Sequence, residues 1–341
     1  MGVLGVLGCG LVKIWKHISN YNEHNIFIHL YVVSGGFIMK VGVIGTGVMG
    51  QNHARNYADM KGIEEVVLFD VFAEAAEKTA EKLGVNTAPT IDKLLDTVDA
   101  VSICVPTQFH KDTAMQVLES GVAALIEKPV CSTVSEGEFL IDHVPKGAVV
   151  GVGHIERFNP IIPEIAKIAD KPHYISIHRH NPASARITGT PVVEDLMIHD
   201  IDIVFNKFIN GSYNISACGS EDVMATLINN NGTPVYLSAS RKASKKIRKI
   251  TVETEDLTVE GNFMTQEIYI YRKAGVYKSE DARYVQENVV EKVMVPKVEP
   301  LKLELQTFLK CAETKSQFPI TLEQGVENLR ICEMIHKAAG V

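Results

Sequence analysis

Three short stretches of this sequence carry side chains able to move a proton or hold a charge. Lys128 follows the apolar run Ala123-Ala-Leu-Ile126 and Glu127, and precedes Pro129. It should therefore stand at the carboxyl edge of a sheet with little freedom. An ammonium partly withdrawn from water there can polarise a hydroxyl or ketone oxygen, and burial lowers its pKa. The plain alternative is a surface lysine paired to Glu127. The second stretch is Glu194-Asp-Leu-Met-Ile-His-Asp-Ile-Asp202. On an α-helix Asp195, His199 and Asp202 fall at i, i+4 and i+7, on one face. A carboxylate beside an imidazole orients the ring and raises its basicity, which makes His199 a proton acceptor near neutral pH. The same face is also a partial metal set, but a third or fourth ligand is not evident and no metal is expected. A solvated helix laced with charge pairs is the other reading.

The third stretch is Val41-Gly-Val-Ile-Gly-Thr-Gly-Val-Met-Gly50. Gly45, Gly47 and Gly50 have the G-x-G-x-x-G spacing, between an apolar strand and a helix. Gly45 allows a tight turn, Gly47 lets backbone approach a pyrophosphate, and Gly50 lets the helix pack closely on the strand. The first amides of that helix, with Thr46, Val48 and Met49 around them, face the phosphates. Val66-Val-Leu-Phe-Asp70 is a second apolar strand ending in an acid, placed to take the ribose hydroxyls. No Arg or Lys follows Asp70 directly to hold a 2′-phosphate, so NAD is expected rather than NADP.

Weaker signals border these three. Val101 to His110 reads as a strand opening into a helix, which sets Pro106, Thr107 and His110 at the cofactor edge. Gly153-His-Ile-Glu-Arg-Phe-Asn-Pro160 ends a further strand and places His154, Arg157 and Asn159 near a cleft. Arg157, Arg179 between His178 and His180, and Arg186 would suit an anionic substrate such as a diphosphate, a salt-bridged scaffold residue being the other reading of each. Arg241-Lys-Ala-Ser-Lys-Lys-Ile-Arg-Lys249 reads as a solvated turn that protects a sheet edge, with phosphate binding as the other reading.

The elements that must position these residues change character along the chain. From 40 to about 150, strands and helices alternate, the pattern of a doubly wound parallel (Rossmann) sheet. Beyond 155 strands dominate, at 174–179, 213–218, 235–240, 247–253, 257–260, 263–271 and 289–295. That run predicts an α+β domain with a large, mostly antiparallel sheet. Helices over 301–313 and 321–339 follow. The expected division is therefore a dinucleotide-binding domain at 39–153 and a substrate-binding domain at 154–341. Residues 1–38 look foreign to both and are expected to lie outside the fold, with Met39 as the natural start.

At 341 residues the chain can build two cores, and its net charge of -7 argues against general nucleic-acid binding. Its six cysteines lack zinc or redox spacing. Buried thiols in a reducing cytoplasm are the expectation. No membrane anchor is indicated.

Taken together the glycine turn, the Glu127-Lys128-Pro129 triplet and Asp195-x-x-x-His199-x-x-Asp202 resemble the Gfo/Idh/MocA family of NAD(P)-dependent oxidoreductases, over about residues 39–341. The resemblance implies a Rossmann domain followed by an open-faced sheet through which copies assemble, as a dimer or tetramer. It also implies that Lys128 polarises the reacting oxygen, His199 accepts the proton and Asp195 supports them. Glu127 and Lys128 would border the nicotinamide. The 153–160 stretch and the 181–193 loop look most like members that oxidise the 3-hydroxyl of UDP-N-acetylglucosamine. An inositol or free-sugar dehydrogenase is the alternative. A non-enzymatic NAD(P)-sensing regulator is a third, though a sensor has no need of a proton-transfer set.

Overall fold

Alternating apolar strands and amphipathic helices build the first layer of the computed structural model, which describes residues 38–186, 189–273, 277–280, 283–286 and 289–341. Of the expected extension only Ile38 is among them. In chain order the elements are β1 (Met39–Ile44), α1 (Val48–Ala58), β2 (Ile63–Phe69), α2 (Ala73–Leu83), β3 (Asn86–Thr87) and α3 (Ile91–Leu95). Then come β4 (Ala100–Ile103), α4 (His110–Glu119), β5 (Ala123–Glu127), α5 (Val134–His143) and β6 (Val150–Gly153). The six strands pair in parallel in the order β3-β2-β1-β4-β5-β6. Order reverses between β1 and β4, and a ligand crevice opens outside the strand ends at such a point. Parallel pairing puts the ends of β1, β4 and β5 on one edge. The glycine turn, Pro106-Thr107 and Lys128 therefore share that edge.

The second half opens with a 3₁₀ turn (Ile155–Phe158), α6 (Ile161–Ile168) and β7 (Tyr174–His180). A π-helical turn (Val193–Met197) leads into α7 (Ile198–Lys207). After it come β8 (Tyr213–Gly219), β9 (Val223–Asn230), β10 (Thr233–Ser240), β11 (Ile247–Glu253), β12 (Leu257–Asn262) and β13 (Glu267–Arg272). A hairpin of β14 (Tyr277–Glu280) and β15 (Arg283–Gln286), then β16 (Val290–Val293), α8 (Pro300–Thr314) and α9 (Leu322–Ala339) complete the chain. Eight strands form one sheet in the order β16-β13-β12-β11-β7-β10-β9-β8, antiparallel except at β7/β10. Its inner face, with Ile175, Ile177, Leu237, Ile250 and Val252, packs on α6 and α7 with Ile161, Ile165, Ile201 and Val204 in one core.

Three strand expectations change, the β14/β15 hairpin falling where no strand was expected. β9 was not anticipated, although Asn231 and Gly232, both at positive φ, make the two-residue turn that joins it to β10. The expected strand 263–271 instead begins with a turn, Gln266 having φ +53°, before β13. Helices α8 and α9 return to the first sheet. A Cβ on Gly151 would meet Phe318 at 2.2 Å, and one on Gly325 would meet Val152 at 2.8 Å. Contacts this close admit only glycine and bring α9 directly onto β6. α9 also packs against β8 and α7 of the second sheet, so it touches both layers. Of the cysteines, Cys218 on β8 is exposed rather than buried.

Candidate active site

The glycine turn has the geometry of a phosphate cradle. Gly45 sits at φ +92°, and a Cβ on Gly50 would lie 1.8 Å from the Gly45 carbonyl oxygen. Gly47 is different: a Cβ there would have nothing within 4 Å. It is exposed, and α1 starts after it with neither a side-chain cap nor an acid in its first turn. The helix amides thus face open space that suits a pyrophosphate. Asp70 closes the turn from β2. Its Oδ2 accepts from the Thr46 amide at 2.7 Å and hydroxyl at 2.9 Å, and its Oδ1 accepts from the Phe72 amide at 3.0 Å. These bonds outweigh burial and hold its carboxyl below the usual range, so it stays a hydrogen-bond acceptor. Val48, Val71 and Phe72 stand exposed around it, an apolar rim suited to an adenine ring.

Lys128 projects from the end of β5 into the second half. Its Nζ donates to the Asp195 carbonyl at 2.7 Å and the Glu194 carbonyl at 3.4 Å, with the Asp195 carboxylate at 3.8 Å. An ammonium has three donors, so one remains for a substrate oxygen. Burial lowers the Lys128 pKa, while Asp195 and Glu127 oppose that shift. His199 lies on α7 with its ring edge-on to that of His154, centroids 6.4 Å apart. Burial first, then Lys128, Arg179, His154 and Arg248, push its pKa well below 6.5. It is therefore neutral at physiological pH and able to accept a proton.

The expected common face of Asp195, His199 and Asp202 does not form. Asp195 lies in the π turn, whose i→i+5 bonding shifts it around the axis relative to α7. His199 Nδ1 is buried with no hydrogen-bond partner, so Asp195 does not orient the ring. The Asp195 carboxylate instead faces Lys128 and, at 3.4 Å, Arg241. Asp202 is fully buried and takes Arg157 through two bonds, at 2.5 and 2.8 Å, with Asn328 at 2.8 Å.

Several residues expected in the cleft are scaffold. Arg157 is held by Asp202 and Gln324. Arg179, 1 % exposed, bridges Asp200 and Glu156, each at 2.7 Å. A charge buried this far must be paired, and that pairing consumes both guanidinium groups. Asn159 donates inward to Glu156 and to the Phe263 carbonyl. His110 is buried with ring nitrogens at 2.8 and 2.9 Å from the Pro129 and Val105 carbonyls, so it braces the β4 and β5 loops from behind. Glu127 turns away from the crevice to His53, at 2.8 Å. His154 is buried at 3.2 Å from Asn328. His178 and His180 share Ser238 on the outer face of the sheet. The Arg186 side chain lies outside the described residues.

Sequence reasoning missed four supports. His53 sits on α1 as an ordinary helix residue, and Asn328 and His336 on α9 carry no motif. His336 grips the Glu194 carboxylate at 2.8 Å, which fixes a carbonyl that Lys128 uses. Arg241, read as part of a solvated basic run, is 5 % exposed and pairs with Asp195. Its position directly after the alternating strand β10 was the available signal.

Residues 39–154 match the oxidoreductase family described as having an NAD-binding Rossmann fold. Over 244 residues the chain is 34 % identical to the UDP-N-acetylglucosamine 3-dehydrogenase of Acidithiobacillus ferrooxidans, covering 69 % of this chain and 77 % of that one. A solved structure of that bacterium's UDP-N-acetylglucosamine 3-dehydrogenase GnnA superposes with a TM-score of 0.79 at 29 % identity, over 89 % of this chain and 98 % of the other. The inositol 2-dehydrogenase of Corynebacterium glutamicum strain ATCC 13032 is 26 % identical over 49 % of this chain and 53 % of its own. Levoglucosan dehydrogenase in complex with NADH and levoglucosan shares the fold at 19 % identity, TM-score 0.76, over 89 % of this chain and 97 % of the other.

Proposed function

The chain belongs to the Gfo/Idh/MocA family of NAD-binding oxidoreductases, and on that premise we propose that it oxidises the 3-hydroxyl of UDP-N-acetylglucosamine to a ketone. The observation that carries the reading is the reach of Lys128 from β5 to the Asp195 main chain, 2.7 Å away, at the start of the segment that bears His199. In this reading residues 39–153 hold the cofactor and residues 154–341 supply most of the substrate contacts. The turn at Gly45, Thr46, Gly47, Val48, Met49 and Gly50 cradles the pyrophosphate, Asp70 takes the ribose, and Pro106 and Thr107 border the ring. Bound NAD supplies the acceptor for the hydride on the carbinol carbon. The neutral imidazole of His199 takes the hydroxyl proton. The third N–H of Lys128 holds the substrate oxygen as the carbonyl forms. Asp195 positions that ammonium, and Arg241 positions Asp195.

The test is an NADH-absorbance assay with UDP-sugars, free sugars and inositols side by side. Reduction of NAD with UDP-N-acetylglucosamine supports the reading. Turnover of inositol alone would replace it with the second reading, which the inositol 2-dehydrogenase match favours. Silence with every sugar would leave a cofactor sensor. We also read the outer face of the eight-stranded sheet, where Leu227 and Tyr271 stand exposed, as an interface between copies of the chain. Light scattering that gave a monomer would remove that assignment. The described cysteines are free thiols, which supports a reducing cytoplasm as the site of action. Among the described residues no helix is long and apolar enough to cross a membrane.

A further inference from the structure

The basic side chains around His199 differ in how far their charge is answered. Arg179 has a carboxylate on each side, Asp200 and Glu156. Arg241 hydrogen-bonds the Thr190 carbonyl and faces Asp195 at 3.4 Å and Asp222 at 3.8 Å. Arg248 is different. It lies on β11 directly opposite Arg179 of β7, with 28 % of its side chain exposed. Among the described residues its one carboxylate contact is Glu156 Oε1 at 3.3 Å. That oxygen already receives Arg179 at 2.7 Å. The buried Nε of Arg248 has no hydrogen-bond partner.

Lys246, two residues earlier, is exposed and has no ion pair among the described residues. Lys246 stands directly before β11, at the two-residue spacing that puts it on the side of Arg248, and Arg248 lowers its pKa. Burial and the facing Arg179 in turn lower that of Arg248. The strand end that carries them is also the end that reaches the catalytic segment. β7 and β10 run in parallel to His180 and Ser240, and Arg241 follows at Asp195. Arg248 shares the Glu156 carboxylate with Arg179, which in turn holds Asp200, the residue after His199, and Lys128, Arg179 and Arg248 all act on His199 as cations. Like charges held together at this strand end, one with an unused buried donor, make a site for an anion that brings its own acceptor oxygens.

We propose that Arg248 and Lys246 form an anion subsite next to His199 that takes the diphosphate of a nucleotide-linked sugar, and so select such a sugar over a free one. This rests on the sugar-nucleotide reading above and assigns the side chains that would enforce it. The forked guanidinium spans two phosphate oxygens, and Lys246 adds a point charge at the rim.

The experiment compares kcat/KM for UDP-N-acetylglucosamine with that for uncharged N-acetylglucosamine, alongside calorimetric binding of UDP to the NADH-loaded protein. Arg248→Ala should raise KM for the nucleotide sugar about tenfold to a hundredfold, with kcat changed far less. The preference ratio and UDP affinity should fall by similar factors, and Arg248→Lys should restore part of each. Lys246→Ala, at an exposed position where folding is not at stake, should cost roughly threefold to tenfold in UDP affinity. A preference ratio and UDP affinity unchanged in both alanine variants would overturn the subsite while leaving the reaction in place. UDP binding that depends on Arg248, in a protein that oxidises no UDP-sugar, would keep the subsite and remove the reaction.

Discussion

In the proposed reaction Lys128 and His199 divide one proton transfer between two environments. The ammonium is anchored by carbonyls and keeps one donor free, while the imidazole is kept neutral by burial and by its cationic neighbours. Removing either should strike the chemical step and spare cofactor binding, because neither belongs to the glycine turn. His199→Ala and Lys128→Ala are each expected to lower kcat by about 10²–10⁴. NADH affinity, read by fluorescence titration, should stay within about threefold. Normal turnover in both variants would remove the assignment. Legibility at this scale followed the motifs. The places of Lys128, His199 and the three glycines in the fold were readable because each follows from a pattern local to a few residues. Arg157 and Arg179 were misread, since the carboxylates that neutralise them, Asp202, Glu156 and Asp200, are set by packing that no local pattern announces.

At the scale of elements the glycine turn separates two functions of small residues. Gly50 packs α1 against the turn, where an added Cβ would sit 1.8 Å from the Gly45 oxygen, whereas Gly47 leaves open space. Gly50→Ala should therefore destabilise the protein by about 1–3 kcal/mol or prevent folding. Gly47→Ala should keep the thermal midpoint and lose NAD affinity by roughly tenfold or more, since the methyl group stands where phosphate must approach. A stable Gly50→Ala protein with full NAD affinity, measured by calorimetry, would refute the packing argument. The parallel sheet was legible because its central strands β1, β4 and β5 are buried on both faces and punctuated by helices. β9 was less so, because Ala225, Thr226 and two asparagines dilute its alternation, and only the Asn231-Gly232 pair marked its end. The π turn at Val193–Met197 has no sequence mark of its own. It moves Asp195 out of line with His199, and the predicted shared face failed there.

For the whole molecule, buried histidines couple stability to pH. Burial lowers the pKa of His110, His154 and His199 from the ordinary 6.5. Between the folded and unfolded values the unfolded chain holds the extra protons. Their contribution to stability is therefore complete above about pH 6.5 and drains away as pH falls. His336 works the other way: its bond to Glu194 raises its pKa, so its contribution is complete below 6.5 and is lost as pH rises through the folded value. Burial lowers the pKa of His178 and His180 as well. These five histidines outnumber His336 and the buried Glu304 carboxyl, whose raised pKa opposes them. The midpoint of thermal unfolding should therefore fall between about pH 7 and pH 5.5. A midpoint that held constant or rose on acidification would contradict this balance.

The helix α9 ties the site to the order in which structure can form. Asn328 meets His154 across 174 positions, His336 meets Glu194 across 142, and the Glu333 carboxylate meets the Val134 amide across 199. Contacts so remote in sequence require large loops to close, which slows the search for them. On refolding from denaturant, helical circular dichroism should therefore recover ahead of catalytic competence, with an interval in which both sheets exist and the crevice between them is not yet braced. Activity that returned in step with the earliest ellipticity would place α9 among the first elements to dock.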